Sequence, residues 1–289
     1  MEKMLIDVDT GVDDALALLY LGKCGKCEIE AVTTVCGNAT VANTTKNTKY
    51  VLGLLEAQAP VYSGAARPLA KELYTAKSHG HAGLGNIEGV PEACLDGLAE
   101  YKIGAAVSSN AGITILALAP LTNIALALGR YGEQMAGARY VIMGGAVRDG
   151  GNVTEYAEFN FYVDPDAAAK VLASGLDITL VPLDVCRKLV LTRRQLDSLP
   201  ETTEVKAMKA MLEPYLADYE PAFGGAVLYD PLAAMIALDQ KEAKTEGMCI
   251  QVETTGGRRG SCTPTAGEVK VVTEIDEEYY LREFLRVFA

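Results

Sequence analysis

Residues Leu5-Ile6-Asp7-Val8-Asp9-Thr10-Gly11-Val12-Asp13-Asp14-Ala15-Leu16 place four carboxylates within eight positions. An apolar run ends in Asp7 and Asp9, Gly11 permits a tight turn, and Asp13-Asp14 open a stretch whose apolar period starts at Leu16. Alternation along a strand puts Asp7 and Asp9 on the same side, and the turn brings Asp13 and Asp14 back towards them. Carboxylates crowded at one strand end repel one another, and burial drives them to protonate unless positive charge compensates. No lysine or arginine stands between Lys3 and Lys23. A helix N-terminus accounts for one acid in its first turn. Four together point instead to a bound hard cation, and an oxygen-only donor set without paired histidine or cysteine selects calcium or magnesium over zinc. The spacing does not fit an EF-hand, since Gly11 and Asp14 are misplaced and no closing glutamate follows. It comes close to the DxDx[TV] opening of haloacid-dehalogenase-type magnesium phosphatases, but Gly11 stands where that motif has Thr or Val, and no GDxxxD-like pair follows downstream.

The elements that must position this cluster are legible as short β-branched or aliphatic runs alternating with stretches of helical period, the pattern of a mainly parallel sheet flanked by helices. Strands are predicted at 4–8, 29–35, 113–117, 140–143, 178–181 and 269–272, and helices at 15–21, 41–56, 122–128, 167–173 and 231–238. No repeat or linker divides the chain, so one α/β domain over residues 1–289 is expected. Residues 63–91 and 144–160 are Gly-rich and irregular, and loops of such length are usually functional or mobile. The second follows a predicted strand directly, at the carboxyl edge where open α/β sheets bind ligands.

Composition narrows the partners. A hydrophobic share of 49% over 289 residues suffices for a large core, and a net charge of −12 disfavours nucleic acid and anionic membrane. Seven dispersed cysteines argue for buried free thiols in a reducing compartment. Cys24 and Cys27 have the spacing of half a zinc site, but no second pair completes it, and neither a metal site nor a redox pair is expected there. Without an apolar leader or membrane-length span, a soluble cytoplasmic protein is expected.

The segment from Asp7 to Ala15 resembles the DxDxGxDD signature of the inosine-uridine-preferring nucleoside hydrolase family. Further motifs follow in order. Thr33-Thr34-Val35-Cys36-Gly37-Asn38 is similar to the family's TTVxGN, and Ala119-Pro120-Leu121-Thr122-Asn123-Ile124-Ala125 to its GPLTNxA. Met143-Gly144-Gly145, Gly151-Asn152 and Ala157-Glu158-Phe159-Asn160 resemble the run MGG…GN…AEFN, and Tyr229-Asp230-Pro231 sits where the family has Asp-Pro before a late helix. The stretch Ser78-His79-Gly80-His81-Ala82-Gly83-Leu84-Gly85 resembles its HGxxGLG lid.

The resemblance implies hydrolysis of the N-glycosidic bond of ribonucleosides to ribose and free base. Asp9, Asp14, Asp230 and the Leu118 carbonyl would bind Ca2+, and Asp9 would activate a calcium-bound water. Asp13 would grip the ribose hydroxyls, Asn38, Asn152, Glu158 and Asn160 would complete the sugar pocket, and Met143 would line it. His79 would stack on or protonate the departing base, and Tyr156 or Phe159 would pack near the sugar. Tyr229 occupies a position where several members carry a histidine that assists the leaving group, and a phenol is a weaker proton donor. The resemblance further implies a homodimer or homotetramer in nucleoside salvage, in purine or pyrimidine catabolism. Taken alone, Asp164 and Asp230, each before proline, read as helix caps, and the asparagines as turn residues. Two other functions compete with hydrolysis: a non-catalytic nucleoside- or ribose-binding protein, and the magnesium phosphatase.

Overall fold

The computed structural model describes residues 1–76, 79–80 and 82–289. Ser78 and His81 of the lid-like stretch lie outside the described residues. The strands, in chain order, are β1 (Glu2–Val8), β2 (Cys27–Thr34), β3 (Val61–Ser63), β4 (Thr114–Ala117), β5 (Arg139–Met143), β6 (Asp177–Val181), β7 (Val190–Leu191), β8 (Ala226–Val227), β9 (Ala243–Val252), β10 (Cys262–Ala266) and β11 (Val269–Ile275). The helices are α1 (Val12–Lys23), α2 (Val41–Leu54), α3 (Ala99–Ser109), α4 (Thr122–Tyr131), α5 (Phe159–Val163), α6 (Pro165–Leu172), α7 (Leu183–Cys186), α8 (Arg193–Asp197), α9 (Thr203–Phe223), α10 (Tyr229–Leu238) and α11 (Glu277–Phe288).

Among the described residues one nine-stranded sheet runs in the order β10-β9-β11-β6-β5-β4-β1-β2-β3. Its pairings from β3 through β11 are parallel, and only the edge formed by β9 and β10 is antiparallel. The expected mainly parallel sheet is therefore present. The period of two sorts each strand's side chains onto opposite faces. Val141 and Met143 join a core with α1, α9, α10 and α11, while Tyr140 and Ile142 join one with α3, α4 and α6. β1 divides likewise, with Met4, Ile6 and Val8 on the first face and Leu5 on the second. Both faces are covered, which is why these strands read as nearly unbroken apolar runs.

The chain winds from β1 outward to β2 and β3, then returns to place β4 on the other side of β1. A crevice opens beyond the carboxyl ends of strands at such a reversal. Asp9 follows β1 and Leu118 follows β4, so both stand at its mouth.

All predicted strands and helices have counterparts, with shifted ends. Sequence reading missed β3, β7, β8, β9, β10, α3, α5, α7, α8, α9 and α11. In α9 Pro214 and Pro221 interrupt an otherwise helical pattern, yet the helix continues through both, from the Thr202 cap to left-handed Gly224. Among the described residues no helix is long and apolar enough to cross a membrane.

Candidate active site

A cavity of about 340 Å³ opens at this edge, lined by Asp13, Asn38, Leu118, Met143, Asn152, Glu158, Asn160, Tyr229, Asp230 and His79 among others. Of the site residues expected from the sequence, Asp7, Asp9, Asp14 and Tyr156 do not line it; Asp9 and Asp14 are wholly buried, and Asp9 is tied to the lining residue Asn38.

The acidic cluster is built by backbone amides. The N–H groups of Asp9 and Gly11 donate to the two oxygens of Asp14 at 3.2 and 2.9 Å, so Asp14 closes the first turn of α1 on its own cap. Asn38 donates its N–H to Asp9 Oδ2 at 2.6 Å and its amide Nδ2 to Asp14 Oδ2 at 3.1 Å. It therefore ties the loop after β2 to both acids and is no ordinary turn residue. Gly37 must lack a side chain, because a Cβ there would stand 2.0 Å from Asp9 Oδ2. Gly37→Ala is expected to displace the Asp9 carboxylate and lower kcat by up to about 10²-fold, the scale of an ångström-sized misplacement. Steady-state kinetics beside a circular dichroism spectrum would check this, and unchanged kcat would refute it.

Asp7 departs from expectation. Instead of joining the other three, its Oδ1 accepts from Thr33 Oγ1 at 2.6 Å and Asn123 Nδ2 at 2.8 Å, and it does not line the cavity. The same Asn123 amide donates to the Thr34 carbonyl, so Asp7 serves a knot joining β1, β2 and α4. A haloacid-dehalogenase-type phosphatase would need this first aspartate as an exposed nucleophile, so the phosphatase reading fails here.

Asp13, Asp14 and Asp230 each present a carboxylate oxygen within 4.8 Å of the others. Oxygens around one calcium ion stand no more than about 5 Å apart. Asp9 Oδ1 and Asp13 Oδ1 are buried without a hydrogen-bond partner. Burial raises all four carboxyls: Asp13 to about 6, Asp14 to about 7, and Asp9 and Asp230 well above their ordinary range, with neighbouring aspartates adding to the rise in the last three. No lysine or arginine lines the cavity among the described residues. Such a cluster could hold a metal ion. This oxygen group includes Asp13 where the expected ligand set had Asp9. The Leu118 carbonyl accepts from Asn160 Nδ2 at 3.0 Å, which leaves its second lone pair. Asp230 lies inside the first turn of α10 and does not cap it, whereas Asp164 caps α6 as read, accepting from Ala167 N at 3.0 Å.

Glu158 finds its partners in the backbone. It caps α5, with Oε1 accepting from Asn160 N and Oε2 from Gly145 N and Phe161 N, while burial pushes it up to about 7. The Asn160 amide donates to the carbonyls of Leu118 and Met143 and so bridges the ends of β4 and β5. Asn152 is exposed on the rim, in a loop whose Gly150 and Gly151 carbonyls are held by Arg187.

The opposite wall is aromatic. Tyr215 and Tyr219, one turn apart on α9, stack with centroids 4.3 Å apart; His79 packs on Tyr215 at 5.6 Å, and Tyr229 meets Tyr219 edge-on at 6.0 Å. His79 Nδ1 accepts the Val12 N–H at 2.9 Å, so the neutral ring carries its proton on Nε2. Its Nδ1 lies 3.9 Å from Asp13 Oδ1, and burial pulls the imidazole down to about 4. This geometry gives His79 packing on Tyr215 and a donor N–H at Nε2. Burial, with Tyr219 alongside, raises the Tyr229 phenol above its ordinary range. Phe159 lines the cavity; Tyr156 instead lies under Arg258, 4.1 Å from its guanidinium. Tyr74, Ala76, Val153, Asp218 and Tyr219 also line it. Sequence reading missed these five, although the i, i+4 spacing of Tyr215 and Tyr219 would have marked the two as one helical face.

The sequence profile of the inosine-uridine preferring nucleoside hydrolase family matches residues 4–282. The chain belongs to this family. It is 34% identical over 278 residues to the non-specific ribonucleoside hydrolase RihC of Klebsiella pneumoniae, covering 94% of this chain and 88% of that protein. It is 36% identical over 265 residues to the pyrimidine-specific ribonucleoside hydrolase RihA of Salmonella agona, covering 88% and 85%. A solved plant nucleoside hydrolase, PpNRh1, superposes with a TM-score of 0.93 at 27% identity, over 100% of this chain and 99% of that one. A purine-preferring ribonucleoside hydrolase from Gardnerella vaginalis superposes at 0.91 with 29% identity, over 99% and 98%. This chain is thereby an enzyme of the hydrolases that act on N-glycosyl compounds.

Proposed function

We propose that the chain, acting as one domain over residues 1–289, hydrolyses ribonucleosides to ribose and free base at this cavity, with Ca2+ as its resident ion. The carrying observation is the buried trio Asp13, Asp14 and Asp230, whose carboxylate oxygens lie within 4.8 Å of one another, with Asp9 Oδ1 likewise buried without a partner. Asp14, Asp230, Asp9 and the Leu118 carbonyl would hold the ion, with Asp13 adjoining. A bound divalent cation supplies positive charge that gathers vicinal hydroxyls and makes water more acidic.

The chain's own groups do the rest. Asp9 accepts the proton of the attacking water, and Asp13 Oδ1 accepts from a ribose hydroxyl. Asn38, Asn152, Glu158, Asn160 and Met143 enclose the sugar. Cleavage passes through an oxocarbenium-like state, which the surrounding anionic and dipolar oxygens stabilise. His79 and Tyr229 pack against the departing base and donate hydrogen bonds to it. The same reading makes the protein a cytoplasmic homodimer or homotetramer of nucleoside salvage and catabolism.

Reaction in isotopically labelled, phosphate-free water tests the proposal: one labelled oxygen should enter ribose and none the base. Nucleoside left intact, or cleavage that demands phosphate, would overturn it. The aromatic wall gives a separate expectation. Aromatic contacts are worth about 0.5–1.5 kcal/mol, so Tyr219→Ala should raise KM for nucleosides roughly 2- to 12-fold while free ribose inhibits as before. An unchanged KM would remove Tyr219 from base recognition.

A further inference from the structure

Cys24 and Cys27 stand apart from the cavity and were not expected to act together. Cys24 caps the C-terminus of α1, Gly25 turns through a left-handed φ of +66°, and Cys27 begins β2. This reversal brings both thiols onto one acceptor: Cys24 Sγ lies 3.3 Å and Cys27 Sγ 3.5 Å from the Leu21 carbonyl oxygen. Two sulfurs held to one oxygen are neighbours. Both are half-buried, so a small thiol reagent reaches them while the turn keeps them paired.

A zinc half-site is the competing explanation. Among the described residues, however, the acidic trio at the cavity is the one group of three or more metal-ligating side chains, so no third ligand joins the cysteines. The adjoining Cys27 thiol and the Lys26 backbone and ammonium pull Cys24 down to about 6 against the cost of burial, while Cys27 is pushed up. One thiol is thereby prepared as a nucleophile and its neighbour as the proton-bearing partner.

We propose that Cys24 and Cys27 are a redox-active dithiol, oxidised to an intramolecular disulfide by low-molecular-weight disulfides such as oxidised glutathione. The Cys24 thiolate attacks one sulfur of the reagent, forming a mixed disulfide and expelling a thiolate. That thiolate takes the Cys27 proton, and Cys27 then attacks Cys24 Sγ, expelling the second thiolate, which is protonated by solvent. The sum is two protein thiols oxidised and one disulfide reduced to two thiols. α1 extends about 18 Å between this turn and the acidic cluster, so the chemistry is independent of the cavity and of any substrate.

The test incubates the native full-length protein with graded ratios of oxidised to reduced glutathione, blocks remaining thiols with an alkylating agent, and maps peptides by mass. The peptide holding Cys24 and Cys27 should lose the mass of two hydrogens and both alkylation sites, and dithiothreitol should restore them. In Cys27→Ser, Cys24 should stop at a stable glutathionyl adduct; in Cys24→Ser, Cys27 should remain a free thiol. Both cysteines alkylated at every ratio, or a persistent glutathionyl adduct on the unsubstituted protein, would overturn the proposal. The exposed Cys94 and Cys249 serve as internal controls for simple adduct formation.

Discussion

Replacing Asp9 by asparagine is expected to lower kcat for ribonucleoside cleavage at saturating calcium by about 10²–10⁴-fold, the usual contribution of a positioned general base. Asparagine keeps an oxygen to accept the Asn38 N–H but cannot take a proton from water. The loss should not come from misfolding. Asp9 is fully buried and strongly driven towards its neutral form, so a neutral isostere removes a burial cost. The melting temperature of the metal-free Asp9→Asn protein at pH 8 should therefore equal or exceed that of the unsubstituted chain. Activity within tenfold of the parent would mean that another group accepts the proton.

The second large effect concerns the ion. Without metal, the buried carboxyls titrate far above the roughly 4 of an unfolded chain: Asp13 at about 6, Asp7 and Asp14 at about 7. The folded state then binds more protons than the unfolded state, so stability is full below about pH 4 as far as these groups are concerned. It is lost as pH rises through the folded values near 6 and 7. Chelated protein should therefore melt at progressively lower temperature from pH 5 to pH 8. Calcium compensates the charge that appears over the same range, and its effect should grow with pH. At a hundredfold excess over Kd a ligand adds about 2.7 kcal/mol, or about 5–10 °C in a chain of this size. Differential scanning fluorimetry with calcium and with chelator measures both trends. A melting temperature indifferent to calcium at pH 8 would argue that the cluster holds no such ion.

Much of this site is legible in the sequence because its pieces are local. A strand that ends in acids, a glycine turn and a helix opening in acids are neighbours in the chain, so residues 7–14 disclose their chemistry without a structure. Asp230 and Asn160 are brought in by the sheet, and only the family resemblance pointed to them. Asp7 was grouped with the others because strand alternation gives the direction of a side chain but not its partner. Thr33 and Asn123, from two other elements, capture it. The aromatic wall escaped because Pro214 and Pro221 make α9 read as broken. The β9–β10 edge escaped because its mostly exposed residues carry no apolar run, as expected of a sheet margin facing solvent. Glu158 was pointed to by the family resemblance, but its partners are backbone amides, which no sequence pattern displays.

The most direct test of the central claim is release of reducing sugar from inosine, uridine, adenosine, guanosine and cytidine by the purified chain, with calcium and with chelator. The expected result is ribose and free base in equal amounts from at least one of them, abolished by the chelator and restored by calcium. Tight binding of a nucleoside with no ribose released in the presence of calcium would contradict it and identify the chain as a ribonucleoside-binding protein.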